Sequence, residues 1–408
     1  TLEYLDLSGN VLASLPEDFA RLHRLKVLFC AGNRFTELPL VLGQCQNLSM
    51  LGFRTNQIAT IQGAALPPKL RWLILMGNQL SALPPEIGAC HELQKVALSG
   101  NLLTTLPLEM AACTKLELVR IAANRFEALP GWLLSMPRLS WLGYSGNPVC
   151  AAAEARALTG QVALAQIPWA SLQLKQKLGE GASGVIYQAA LADASQEVAV
   201  KVFKGALTSD GLPHSEIAAY LSAGSHPYLI NLLGKVTGHP EKTEALVMQL
   251  VDSSYRNLAA PPSLQSCTRD VYAADLRFSL NDALRVAHGV ASLARQLHSR
   301  GLTHGDLYAH NTLIGAAGHA VLGDFGASSF YDQNDLAAAK ALEQIEVRAF
   351  GCLLEELLER VDRSSGFTDQ QRTALQTATA LCHQCFLPQV LQRPLFAEIE
   401  EALIAVQF

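Results

Sequence analysis

The sequence predicts two different folds in one chain: a solenoid of short stacked strands, then a two-lobed α+β unit. Three observations carry this. Asparagine recurs every 22 or 23 residues through the first third, at Asn10, Asn33, Asn56, Asn78, Asn101, Asn124 and Asn147, each behind a frame of leucines. That period ends at Asn147-Pro148, and a glycine-rich stretch, LGEGASGVI at 178–186, follows some thirty residues later between strand-forming segments. Further on, HGDLYAHN (304–311) is followed by Asp324-Phe325-Gly326.

Composition bounds the rest. At 408 residues the chain is long enough for two or three domains. Half the residues are hydrophobic and 16% are charged, enough for sizeable cores. The net charge of -5, from 31 basic and 36 acidic residues, gives no pull toward nucleic acid or an anionic membrane. No apolar run reaches the roughly 20 residues of a membrane helix. Nine scattered cysteines do not form a small disulfide framework and point to a reducing, cytoplasmic setting. The chain starts at Thr1 in the middle of a repeat, so a leader or upstream segment lies outside what this sequence reports.

The first unit is built from Leu2-x-x-Leu5-x-Leu7-x-x-Asn10, repeated as Leu25, Leu28, Cys30 and Asn33 and again as Leu70, Leu73, Leu75 and Asn78. A Leu-Pro pair follows at 15–16, 38–39, 83–84, 106–107 and 129–130. In period and frame, residues 1–147 resemble the leucine-rich repeat, whose fold is a horseshoe-shaped solenoid. One unit cannot bury its leucines alone, so stacking supplies the partner surface. The asparagines are read as structural, bonding backbone in the turns. Cys45, Cys90 and Cys113 share one column with Leu22 and Met136 and are read as buried thiols. Between the frame leucines stand Tyr4, Phe29, Met50, Arg54, Trp72, Ile74, Met76, Leu118, Arg120 and Trp141, expected on an exposed concave face. Their rung-upon-rung alignment suggests a docking patch for a protein substrate or regulator, or for the rest of this chain. Residues 1–150 form this domain, and the alanine-rich 151–171 reads as a capping helix and linker.

In the second unit, Gly179-x-Gly181-x-x-Gly184 passes into VIYQAAL, a turn, and EVAVKVF. That is a hairpin, not the strand-to-helix passage of a dinucleotide site. Lys201 stands in the apolar second strand, and Glu216 lies fifteen residues on in a helical stretch. HPYLINLLG (226–234) reads as a segment leading into a strand and ALVMQLV (245–251) as a strand, then comes an amphipathic helix at 281–301. The order is glycine loop, lysine, glutamate, H-x-D-x-x-x-x-N, D-F-G, with QRPLFAEIEEAL (392–403) near the end. Residues 172–408 therefore resemble the eukaryotic-type protein kinase fold, serine/threonine or tyrosine-kinase-like.

The resemblance implies ATP and Mg2+. It makes Asp306 the group that orients the substrate hydroxyl and Asn311 and Asp324 the magnesium ligands. Leu178, Gly179, Glu180, Gly181, Ala182, Ser183, Gly184, Val185 and Ile186 form the phosphate lid. Lys201 and Glu216 place the phosphates, and Met248 and Leu250 meet the adenine. Two positions depart from the family. Gly305 stands where an arginine usually binds a phosphorylated activation loop, and Tyr308 where a cation usually sits. No Ala-Pro-Glu follows, and the central helix is expected only from Glu346. His310 is a candidate partial cation. The reading is a phosphotransferase to protein hydroxyls, chiefly serine or threonine. The alternatives are a catalytically weak scaffold and a small-molecule kinase resembling aminoglycoside or choline phosphotransferases.

Overall fold

The computed structural model describes residues 2–159, 164–181, 183–192, 197–208, 210–364 and 366–406. The first unit is a seven-stranded parallel sheet in strict sequence order. Its strands are β1 (Tyr4–Asp6), β2 (Val27–Phe29), β3 (Met50–Gly52), β4 (Trp72–Ile74), β5 (Lys95–Ala97), β6 (Leu118–Arg120) and β7 (Trp141–Gly143). The middle residue of each points inward, so Leu28, Leu51, Leu73, Val96, Val119 and Leu142 lie side by side in register. From Asn33 onward each ladder asparagine joins two rungs. Asn56 donates to the carbonyls of Cys30 (2.9 Å) and Phe53 (3.1 Å), and its Oδ1 accepts from Phe35 N–H (3.1 Å). The Leu-Pro pairs open the return turns, because proline fixes the φ needed before a 3₁₀ turn. Pro16, Pro39, Pro84, Pro107 and Pro130 each precede a five-residue turn. The rung without the pair has a turn of only three residues, Gly63–Ala65.

The cap is α1 (Pro148–Thr159), and the linker contributes a strand, β8 (Ala165–Pro168). The small lobe is a six-stranded sheet in the order β8-β12-β13-β11-β10-β9. It comprises β9 (Leu172–Glu180), β10 (Gly184–Leu191), β11 (Glu197–Phe203), β12 (Leu232–Thr237) and β13 (Ala245–Gln249), with α2 (Pro213–Ala223) alongside. The large lobe holds β14 (Arg256–Asn257), α3 (Leu280–Ser299), β15 (Leu302–Thr303), β16 (Thr312–Ile314), β17 (Ala320–Leu322) and β18 (Ser329–Phe330). It is completed by α4 (Leu336–Glu359), α5 (Asp369–Cys385) and α6 (Phe396–Ala405). Helix α4 starts ten residues before the expected Glu346. Asp335 caps it through Ala338 N–H, and LAAAKALEQ is strong helix-forming sequence. The segment after Gly326 is shorter than the sequence suggested, and Ala341-Leu342-Glu343 lies inside the helix.

The concave face is not open, as the sequence reading had it. Met50, Trp72, Met76, Leu118, Arg120 and Trp141 are buried, while Tyr4 and Arg54 stay exposed. The kinase-like half lies against it, and one hydrophobic core runs through both units. The Trp72 indole N–H meets the Cys267 thiol. Arg348 donates to Arg138 C=O (2.9 Å) and Ser140 Oγ (2.6 Å), and Arg393 to Pro137 C=O (2.7 Å). A one-dimensional pattern marks which residues leave the solenoid core, not what lies on top of them. The column thiols Cys45, Cys90 and Cys113 are buried, and burial raises Cys90 and Cys113 to about 11. Cys382 and Cys385 are core residues as well.

Candidate active site

The hairpin β10–β11 pairs Ile186 with Lys201. Along β11, Val198, Ala199 and Val200 are buried, and so is Lys201, at 4% exposure. An ammonium there needs partners. Its Nζ lies 2.6 Å from Glu216 Oε1 and 3.1 Å from Asp324 Oδ1. Burial works against the Lys201 charge, but Asp324 and Glu216 outweigh it and hold the amine protonated. Burial also raises the Glu216 carboxyl to about 7 against the pull of Lys201. With the amine held charged at 2.6 Å, the ion pair is the form the site adopts. Removing one partner of such a buried pair typically costs about 3–5 kcal/mol.

Helix α2 presents Glu216 because α1 braces it. The buried Glu154 of α1 accepts from Ser215 Oγ (3.0 Å) and from Gly146 N–H (2.8 Å). Asp324 sits at φ +59°, a costly conformation for a non-glycine residue. Its N–H donates to Tyr220 Oη (3.2 Å), and its Oδ1 accepts from Lys201 and from Gly326 N–H (3.3 Å). Phe325 is fully buried between Tyr220 and His304, at ring distances of 4.6 and 5.1 Å. Partial burial of the Asp324 carboxyl is outweighed by Lys201, which holds it below the usual carboxylate range.

In the loop that opens after β15, Asn311 Nδ2 donates to Asp306 Oδ2 (2.7 Å) and to its carbonyl (3.0 Å). Glu346 of α4 accepts from the N–H groups of His304 (3.1 Å) and Gly305 (2.6 Å). Gly305 has φ +73°, and a Cβ there would stand 2.4 Å from Ala327 O and 3.1 Å from Leu142 O. No arginine fits at this position under β7. Tyr308 is buried beneath Trp141. His310 is engaged elsewhere, with Nδ1 at 2.7 Å from Asp270 Oδ1, so it is not the cation at Asp306.

That cation is Arg120 of β6, which sequence reasoning missed as a site residue. It is 4% exposed, pairs with Asp306 Oδ1 through Nη2, and donates from Nε to Asp210 Oδ1 at 3.1 Å. Asp306 and Arg120 lie 186 positions apart. The only signal was that Arg120 belongs to the outward-facing set of the solenoid. Asp210, in the stretch before α2, had none.

The other expected site residues lie as follows. Gly181 N–H donates to Gly184 C=O (2.9 Å), and a Cβ on Gly184 would meet Val202 O at 2.6 Å. Leu178 is exposed, and Glu180 pairs with Lys177 and Lys204 (2.5 Å to the latter). Ser183 and Met248 are buried, and Gly179, Val185, Ile186 and Leu250 are half-buried. Ala182 lies outside the described residues. Among the described residues no group of three or more His, Cys, Asp or Glu is placed to hold a metal. Asn311 Oδ1 and the Asp324 carboxylate are hard oxygen donors that fit magnesium, provided phosphate oxygens and water complete the shell.

Fold and site together define a protein kinase domain set behind a leucine-rich repeat solenoid. Comparison agrees: the family described as protein tyrosine and serine/threonine kinase matches residues 172–359, and the leucine-rich repeat family matches residues 1–22. The chain carries both. It is 22% identical over 233 residues to a probable cyclin-dependent serine/threonine-protein kinase of Dictyostelium discoideum, covering 53% of this chain and 34% of that one. A probable serine/threonine-protein kinase of the same organism is 29% identical over 170 residues, 41% of this chain and 10% of its own. The serine/threonine-protein kinase mos of Xenopus laevis is 25% identical over 198 residues, 47% of this chain and 51% of its own. The chain thus spans about half or less of the length of these relatives. No described helix is long and apolar enough to cross a membrane.

Proposed function

We propose that the chain transfers the γ-phosphoryl group of ATP, with magnesium, to hydroxyl groups of protein substrates, chiefly serine or threonine. The observation that carries this is Lys201 held between Glu216 and Asp324, with Asn311 bonded to Asp306 across the cleft. In this reading Lys201 and the 178–186 loop position the phosphates, and Met248 and Leu250 border the base. Asn311 and Asp324 would hold magnesium, which supplies charge neutralisation when bound. Asp306 would orient the acceptor hydroxyl. The serine/threonine preference rests on the names of the relatives above. Residues 1–150 and 172–408 act as two domains of one body, and the first rung, with Tyr4 exposed, together with the exposed Arg54, is offered as the surface for a protein partner.

A second reading, a silent scaffold, draws on the engagement of Asp306 by Arg120. Incubation with labelled ATP, magnesium and a generic protein acceptor separates the two. Transfer that disappears in Asp306→Asn supports the kinase, and equal labelling in both proteins defeats it. Phosphoamino-acid analysis of the product tests the residue preference.

A further inference from the structure

A phosphoryl group in transfer spreads negative charge over its oxygens, and positioned cations stabilise it. The loop His304–Asn311 contains no lysine or arginine, and its His310 is committed to Asp270. The cleft is instead rich in carboxylates: Asp210, Asp306, Asp324 and Glu216. Lys201 answers two of them. Arg120 answers the other two, and it comes from the repeat domain.

Its guanidinium is not fully used. Nε faces Asp210 and Nη2 faces Asp306, while Nη1 is buried with no hydrogen-bond partner among the described residues. A buried arginine donor without an acceptor is costly, and phosphate oxygens are the acceptors that a guanidinium fork matches best. The Asp324 side chain is 46% exposed and that of Asp306 18%, so the carboxylates facing Lys201 and Arg120 are in reach of solvent.

The surroundings fix Arg120 in place. Its neighbour across the sheet, β7, covers Gly305 with the Leu142 carbonyl and stacks Trp141 on Tyr308. The short segment after Gly326 is tied to the same strand by Tyr144 N–H donating to Ser329 Oγ at 2.9 Å.

We propose that Arg120 is a catalytic residue of this kinase, supplied by the repeat domain, whose guanidinium binds the phosphoryl group in transfer. This rests on the phosphotransfer reading above and deepens it. The test compares wild type, Arg120→Ala and Asp306→Asn as full chains, with labelled ATP, magnesium and a protein acceptor. Arg120→Ala lowers kcat by about a hundredfold or more, with a much smaller change in KM for ATP. Guanidinium chloride at millimolar concentration restores part of the lost rate, and Arg120→Lys retains more activity than Arg120→Ala. Should the alanine variant fail to fold, the polar and uncharged Arg120→Gln takes its place. A folded variant as fast as wild type overturns the proposal. A faster one also overturns it and makes Arg120 a plug on Asp306. Loss of rate without rescue by guanidinium or lysine overturns it in favour of a structural role. A wild type no more active than Asp306→Asn defeats the phosphotransfer reading itself, and the proposal with it.

Discussion

Trp141 lies flat on Tyr308, with ring centroids 4.3 Å apart and planes 6° from parallel, and its indole N–H donates to the Leu307 carbonyl at 3.1 Å. One ring belongs to the last strand of the solenoid and the other to the loop that carries Asp306. The stack therefore joins the two domains at the point where chemistry is expected. Trp141 is 1% exposed, so Trp141→Ala should cost about 3–5 kcal/mol, seen as a lower midpoint in urea unfolding. A cost below about 1 kcal/mol would mean the stack does not hold the domains together.

Under that stack the Tyr308 hydroxyl is buried and has no partner among the described residues. A buried hydroxyl without a partner opposes folding. Tyr308→Phe keeps the ring and removes the oxygen. It is expected to be neutral or stabilising by up to about 1 kcal/mol, measured by thermal unfolding. A clear loss of stability would show that the phenol has a role the stack does not explain.

Glu154 couples the cap helix to the helix of Glu216. Glu154→Ala leaves Ser215 Oγ and Gly146 N–H without their acceptor, which should cost about 1–3 kcal/mol. Because Ser215 precedes Glu216, the phosphotransfer rate should fall more steeply than the fraction folded. A rate that simply tracks the folded fraction would confine Glu154 to stability.

His310 gives a pH dependence. Burial works against its charge, but the hydrogen bond to Asp270 and the carboxylates of Asp306, Asp270 and Asp324 outweigh it, and its pKa lies above the usual 6.5. A group raised on folding contributes stability that is full below the unfolded value and is lost as pH rises through the folded one. The difference in unfolding free energy between wild type and His310→Ala should therefore be larger near pH 6 than near pH 9. A difference that stays constant, or grows with pH, contradicts the charged pair.

Regulation by phosphorylation of the segment after Gly326 is not expected. Ser328 and Ser329 are 1% and 0% exposed, and the Tyr331 hydroxyl donates to His298 C=O at 3.0 Å. Phosphatase treatment should leave the initial rate unchanged. A lag that pre-incubation with ATP removes would count against this.

Both folds were legible because each rests on local rules. The solenoid shows through a strict period, and the kinase half through short motifs whose spacing the fold fixes. Lys201, Glu216, Asp324, Asp306 and Asn311 could be singled out through the kinase resemblance, and Lys201 paired with Glu216, while the contacts of Asp324 with Lys201 and of Asn311 with Asp306 came only with the structure. The start of α4 was placed ten residues late because the motif was anchored on Glu346, while the alanine-rich turns before it carry only helix propensity. Contact between the domains was one of the occupants offered for the concave patch; what the sequence did not give was which residues meet there. Arg120 reads as one more outward side chain until the large lobe is laid on the concave face, and Asp210 stands in a stretch with no pattern. The concave tryptophans were legible as a patch, and of the occupants offered for it the rest of this chain is the one found there. Being buried under the chain's own second half, they bear on the stability of the whole chain and not on capture of another protein.

The Leu142 carbonyl above Gly305 has one more consequence. A kinase domain with arginine before its catalytic aspartate could not be seated beneath these repeats, because that side chain would start against the backbone of the seventh rung and of Ala327. Restoring arginine at 305 in the intact chain would pry the halves apart. The repeats and the kinase are thus not exchangeable modules. Grafting either onto another partner would mean rebuilding the seam, and a side chain at position 305 would need the Ala327 backbone to move first and the last rung to give as well.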